Sequence, residues 1–463
     1  MTLSMIPFTT GVREAPSAVR ELDQLTRLAA PLAIANVGQV LLGAVDTAVV
    51  GRLGSEALGA GGLGSSLFFT VSVLGTGALL GFEPLVAQAL GAGERHRARS
   101  MLRRSLWLAA GLSVPLFGIG WGVGLLLERT GIAADTAGLT RVYLLTRLLG
   151  LAPYLLFVVL RSYLQAQVRT QPVLVAVLSA NLVNLPLSWI LALGDPGLER
   201  LGVGPVGLPV LGVGGAAWAS VVATAIQLLV LWRAVVRGRP QPSSAVEPGV
   251  TWRALRLGAP IGLTLLAEYG VFALVNLAMG NLDADSLAAH QVAITFAAAT
   301  FTVSLGVGAA ATVRVGRCVG AGDVAGTRLA GGVALLVAAV VMVLPAVLFW
   351  AIPGELARVI TDRPEVVRST VPLLGVAAFF QLSDGLQAVA AGALRGAGDT
   401  RFPLAVNLVG HYLVGLPIGL LLAFGCGWGA AGLWWGLTAG LTIVALALMT
   451  RFAQLTQLRV RRV

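Results

Sequence analysis

No feature constrains this chain more than its charge-free apolar runs. Leu106–Leu127 and Val333–Ile352 carry no ionisable side chain. Each approaches the roughly 20 residues that an α-helix needs to cross a bilayer. Runs of this kind recur near 28–51, 57–90, 105–127, 138–160, 172–194, 210–236, 254–280, 286–313, 329–352, 371–394, 403–425 and 428–450. Lipid offers no water to backbone N–H and C=O groups, so such segments close their hydrogen bonds internally, as helices. Composition agrees: 57% of residues are hydrophobic and 11% charged, against about 25% charged in a typical soluble domain. The expectation is an all-α integral membrane protein with twelve transmembrane helices.

The net charge of +11 would suggest nucleic acid in a soluble chain. Here every basic residue is Arg, and most cluster in short connections between apolar runs, as in Arg95–Arg104 and Arg233–Arg256. That pattern sets topology and argues against a nucleic-acid partner. The Arg-rich connections alternate with the others, which places both termini in the cytoplasm of a multi-pass protein of the cell (inner) membrane. Cys318 and Cys426 are expected in loops on opposite faces, where they cannot pair. The three His are not spaced as metal ligands, so no cofactor is expected. The first apolar run is long and lacks a small-residue cleavage site, which reads as an uncleaved span.

The chain also repeats itself. LAAP at Leu28–Pro31 aligns with LGAP at Leu257–Pro260, an offset of 229. The same offset lays GRLGSEALGA (Gly51–Ala60) on GNLDADSLAA (Gly280–Ala289), and GAGE (Gly91–Glu94) on GAGD (Gly320–Asp323). LQAQVRTQP (Leu164–Pro172) matches LRGAGDTRFP (Leu394–Pro403) with one inserted residue. Six spans per half is an even number, so both halves enter the membrane in the same sense. They form a parallel repeat about a pseudo-two-fold axis along the membrane normal. The expected organisation is a cytoplasmic segment 1–27, a six-helix N-lobe 28–236, a Pro- and Ser-rich linker 237–252, a six-helix C-lobe 253–452 and a basic tail 453–463.

Carboxylates inside spans are costly, about 2.5–3.5 kcal/mol at a helix centre, and are functional by default. Four stand out: Asp46, Glu83, Glu268 and Asp384. Counting 1.5 Å per residue puts Glu268 and Asp384 both roughly 16 Å from the cytoplasmic ends, at one depth near the midplane. Asp46 lies in the outer half of span one. Under the repeat, Glu268 maps to Gln39, Asp46 to Val275 and Asp384 to Tyr154, so the carboxylates are not shared scaffold. A carboxylate removed from water is relieved by a proton or a small cation. Glu268 and Asp384 are therefore read as carriers of a coupling ion, Asp46 with them. Glu83, beside Pro84 and the Arg-rich loop, is expected to pair with Arg at the cytoplasmic surface. Asn181 and Asn184, at i and i+3, share one face of span five and could supply neutral oxygen ligands or bridge helices. Pro31, Pro153, Pro186, Pro260 and Pro417 are expected to mark kinks. No phosphate loop of the form G-x-x-x-x-G-K-[ST] is present, which excludes ATP-driven transport by this chain alone.

These residues, in this order, resemble the multidrug and toxic compound extrusion (MATE) transporters of the MOP flippase superfamily. The carriers are Val45-Asp46-Thr47 followed by GRLGSEALGA, and Glu83–Gln88 (EPLVAQ) leading to GAGE. In the second half they are APIGLTLLAE (Ala259–Glu268), AAHQVAI (Ala288–Ile294) and GALRGAGDTRFP (Gly392–Pro403). The turn residues fit the DinF-like subgroup and the acidic pattern the NorM-like one. The resemblance implies a V-shaped pair of lobes, acting as a monomer, that exports cationic or amphipathic small molecules in exchange for H⁺ or Na⁺. It also implies a cation site at Asp46, Glu268 and Asp384, with Na⁺ at Glu268 and Asp384 as the one metal to consider. Some prokaryotic members carry an Asp in span five where this chain has Leu185, which favours sharing the load with the C-lobe pair.

Two other classes fit the residues less well. A lipid-linked precursor flippase of the same superfamily would carry a more cationic cavity, whereas the intramembrane charges here are mainly acidic. An integral-membrane enzyme would need converging nucleophile, acid–base or metal groups, and would leave the duplication unexplained.

Overall fold

The structure, a computed structural model, describes residues 17–129, 131–200, 202, 204–238, 248–457 and 462–463. Among the described residues there are twelve apolar spans, with the bent pair taken as one: α1 Ala18–Gly51, α2 Ser55–Gly91, α3 Arg95–Arg129, a bent α4 (Ala134–Leu148 and Leu151–Ala166), α5 Gln171–Glu199 and α6 Gly212–Val236. The second half holds α7 Val250–Gly280, α8 Ala284–Ala321, α9 Val324–Ala351, α10 Pro364–Ala397, α11 Arg401–Gly425 and α12 Gly429–Gln457. A short amphipathic helix, Pro353–Ile360, joins α9 to α10. Among the described residues there is no strand. The expected segment 1–27 is helical from Ala18, while residues 1–16, the linker's 239–247 and the tail's 458–461 lie outside the described residues.

Local chemistry sets the turns. Asp283 caps α8 by accepting from the Ser286 N–H at 2.6 Å, and Asp323 caps α9 by accepting from Gly326 N–H at 2.8 Å. Each satisfies one of the orphan donors of a helix start. Of the expected kinks, α4 bends by 47° between Leu148 and Leu151, next to Pro153. In α5 the break falls at Gly194, beside Pro196 rather than Pro186. Before Pro417, which has no N–H to give, α11 loosens into a π-helical stretch, Val409–Gly415, and does so again at Leu421–Gly425.

Helices α1–α6 form one lobe and α7–α12 the other. The lobes touch backbone to backbone. A Cβ built on Gly77 of α2 would fall 2.2 Å from the Gly262 Cα of α7, and one on Gly81 would fall 1.9 Å from the Ala254 carbonyl oxygen. With Gly258, this crosses two small-xxx-small faces. The same contact occurs a second time, displaced by the repeat: Gly306 of α8 meets Ala33 of α1, with 2.6 Å from a built Cβ to the Ala33 nitrogen. Gly91 against Arg317 likewise has its mate in Gly320 against Gln88, each at 2.0 Å from a built Cβ to a carbonyl oxygen. The offset of 229 thus relates packing contacts as well as residues, as a parallel pseudo-two-fold requires.

All these contacts lie between mid-depth and the Arg-rich end. At that end Arg314 of α8 donates to both carboxylate oxygens of Glu21 in α1, at 2.8 and 2.5 Å. The last aromatic contact across the lobes, Phe69 with Tyr269, lies nearer the middle, with ring centroids 4.4 Å apart. Beyond it Gly43 of α1 and Gly59 and Gly62 of α2 face open space. The lobes are closed at the Arg-rich end and part toward the other.

A side chain forced into the closed contact has nowhere to go. Gly77→Leu and Gly262→Leu should each destabilise the protein by about 1–3 kcal/mol through overpacking, read as a lower unfolding temperature in detergent. Gly59→Leu, with nothing within 4 Å of its Cβ position, should leave that temperature in place; equal losses at all three sites would refute the contact.

Candidate functional site

The intramembrane carboxylates fall into three settings. In the N-lobe, α1 presents Asp46, 6% exposed, to α5 and α6. Asn184 Nδ2 donates to Asp46 Oδ1 at 3.2 Å, and the Ser220 hydroxyl donates to Oδ2. The Arg147 guanidinium lies within electrostatic reach and packs 4.6 Å from the Phe68 ring. A buried carboxylate is tolerated when donors of this kind surround it. Among the described residues Asn184 Oδ1 has no hydrogen-bond partner, and the Ser188 hydroxyl also lies beside the carboxylate, so buried polar capacity is left over near Asp46.

Asn181 and Asn184 both turn toward α1, as their spacing implies, yet do different work. Asn181 bridges helices, donating to the Gly38 carbonyl at 2.9 Å; Asn184 serves the carboxylate. Gln39 pairs with Gln227 of α6, whose Nε2 donates to it at 3.2 Å.

In the C-lobe, Glu268 Oε1 accepts from Gln387 Nε2 of α10 and from Asn407 Nδ2 of α11, both at 2.7 Å. Asp384 stands one turn before Gln387, 9% exposed, and lies within electrostatic reach of Glu268. Two carboxylates within electrostatic reach of each other and out of water cannot both stay charged and unpaired. The site can take up a proton, or a small cation held by carboxylate and amide oxygens. Asp46 is not part of it.

Glu83 corrects the sequence reading. It is 2% exposed rather than at the surface, and among the described residues its Oε1 has no hydrogen-bond partner. It lines a small cavity with Ser105, Ser162 and Tyr163. Two arginines face it, Arg161 of α4 and Arg395 of α10, and Arg395 is also within reach of Glu268. Arg161 donates inside the lobe to Asn36 Oδ1 at 2.5 Å. Cys318 closes helix α8 rather than lying in a loop, and both cysteines are free. His290 bridges helices as an acceptor, taking the Trp434 Nε1–H at 3.2 Å.

Gln387, Asn407, Ser220 and Gln227 were missed by sequence reasoning. Gln387 could have been found, since i, i+3 from Asp384 puts it on the same face. Asn407 is a lone amide in an apolar run, and Ser220 gives no signal at all.

Known proteins resemble this chain along nearly its whole length. A family model described as MatE matches residues 31–190 and 260–421, two segments whose starts repeat the internal offset. A "Probable multidrug resistance protein NorM" of Synechococcus sp. is 35% identical over 446 residues, 95% of each chain. The protein of that name from Deinococcus radiodurans is 38% identical over 448 residues, 95% of this chain and 97% of the other. Among solved structures, an outward-facing multidrug resistance MATE family transporter of the MOP superfamily superposes with TM-score 0.85 at 19% identity, covering 96% of this chain and 99% of that one. The eukaryotic MATE transporter AtDTX14 gives TM-score 0.81 at 22% identity over the same shares.

The amide donors generate a test. Removing one leaves a buried carboxylate under-satisfied, which costs about 1.5–3 kcal/mol for a bond to a charged group. Asn407→Leu and Asn184→Ala should each lower the unfolding temperature accordingly, and Asn407→Leu should lose this penalty when Glu268→Gln is present. A penalty independent of residue 268 would mean that Asn407 serves packing alone.

Proposed function

The chain belongs to the MatE family and is a multi-pass membrane transporter rather than an enzyme; from that premise we propose a secondary active antiporter that exports cationic or amphipathic small molecules in exchange for H⁺ or Na⁺. The observation that supports the exchange is the burial of Glu268 and Asp384 within electrostatic reach of each other, in a site whose hydrogen bonds to Glu268 come from neutral amides. The pair can take a cation and give it up without breaking a salt bridge. With the Arg-rich end in the cytoplasm of the inner membrane, the lobes part toward the outside, and the carboxylates are set to load from there. No second chain is needed for the cycle.

The cargo reading rests on chemistry beside that pair. Tyr269, next to Glu268, meets Phe69 of the other lobe and is still 55% exposed. Aromatic faces next to carboxylates suit an organic cation. Asp46, with its own donors, is a second ionisable site that the same gradient can address.

Ethidium efflux from cells or everted vesicles, with imposed ΔpH or ΔNa⁺, tests this. Glu268→Gln and Asp384→Asn should cut gradient-driven efflux about tenfold or more, about 1.4 kcal/mol of coupling, with the protein still inserted. The gradient that drives efflux in the wild type names the ion. Loss in Asp46→Asn alone would move coupling to the N-lobe, and no efflux under either gradient would bring a lipid-linked precursor flippase to the front. Tyr269→Ala should weaken apparent ethidium affinity by about three- to tenfold without changing which gradient is used.

A further inference from the structure

On the Arg-rich face the lobes leave a slot walled by Gln88 and Glu94 on one side and by Gly320 and Gly398 on the other. Residues 462 and 463 occupy it. Arg462 Nη1 donates to Glu94 Oε1 at 2.9 Å, while Nη2 donates to the Gly320 carbonyl. The Val463 N–H donates to Gln88 Oε1 at 3.0 Å. The Val463 side chain rests on Gly398, where a built Cβ would come 2.2 Å from Val463 Cγ2 and where φ is +88°. Only glycine is free to take that backbone conformation and leave that room. These two residues therefore bond to both lobes at once.

Gln88 shows that the fit is built rather than incidental. Its side chain is 3% exposed, and both ends of its amide are used. Nε2 donates across the lobes to the Gly396 carbonyl at 3.1 Å, and Oε1 accepts from Val463. A buried amide oxygen stripped of its donor is penalised. Glu94 is ready for a cation, since the hydrogen bond from Arg97, with Arg462 adding to it, holds its carboxyl below the usual range.

We propose that this slot is the docking site of Arg462 and Val463, and that these two residues, once seated, hold the Arg-rich face shut. The proposal rests on the reading of the chain as a transporter that opens its two faces in turn. Opening this face must separate Gln88 from Gly396 and Glu94 from Gly320, and residues 462 and 463 tie both pairs together. A segment that binds the closed arrangement only shifts the population toward it. The tail thus biases the resting protein toward the state open on the other side, and must leave before the Arg-rich face can open.

Spin labels at Arg95→Cys and Ala321→Cys, one on each lobe beside the slot, read this directly. The protein is held in lipid nanodiscs with Cys318 and Cys426 replaced by Ala. The parent should show one short distance. Stopping the chain after Gln457 should raise the share of a longer distance about fivefold, and Arg462→Ala should do so more weakly, because a half-exposed ion pair is worth little alone. High salt should move the parent in the same direction and leave the shortened chain unmoved. A shortened chain with the parent's distances at both salt levels overturns the docking role. Ethidium efflux separates the two readings: efflux without a tail effect sinks the latch alone, and a tail effect without efflux sinks the export assignment alone.

Discussion

Helices in a bilayer gain little from hiding apolar side chains from one another, because lipid is as apolar as they are. What holds two lobes together is then close van der Waals approach and the few polar bonds that span the gap. In this chain that approach is made by glycine against glycine, Gly77 on Gly262, and by Gly306 on Ala33 in the related contact. Everything else at the interface is arranged around those points. The ion pair of Glu21 with Arg314 and the amide bridge of Gln88 close the Arg-rich end. Phe69 and Tyr269 mark where closure gives way to a cleft. Because the contact needs missing side chains rather than matched ones, it can part and re-form without trapping a bulky group in the wrong place.

The carboxylates are divided by the same geometry. Asp46 belongs wholly to one lobe and Glu268 with Asp384 wholly to the other, so neither site is torn apart when the lobes move. Glu83 differs. It stands near the seam, between Arg161 of its own lobe and Arg395 of the other, and Arg395 also faces Glu268. Buried charges of both signs thus run from the seam into the C-lobe site.

Much of the architecture was legible in the sequence, for physical reasons. Spans are visible because charge is expensive in lipid, and the repeat because turns need particular residues at fixed spacing. Helical rise set Glu268 and Asp384 at one expected depth, and in the structure they lie within electrostatic reach of each other. Their partners did not follow. Asn407 comes from a helix whose rotation is set by packing, and nothing local marks Ser220 as the donor to Asp46. Glu83 misled because nearness in sequence to an Arg-rich loop suggests solvent, whereas helices as long as α2 carry protein-covered surface close to the loop. Asp283 and Asp323 could be read as caps; their counterparts Gly54 and Glu94 make the equivalent turns without a side-chain cap, so the repeat preserves geometry more faithfully than chemistry.

The position of the glycine contact along α1 and α2 has a mechanical consequence. From Ala33 to Gly51 is roughly 27 Å of helix at 1.5 Å per residue, and from Gly77 back to Ser55 roughly 33 Å. The contact is a fulcrum with long arms on its open side. A rotation of about 10° there sweeps the far helix ends through about 5 Å, while atoms at the fulcrum itself move by fractions of an ångström. The stroke of the molecule is therefore fixed by the length of its helices, and the energy of the stroke by a patch of backbone a few residues wide.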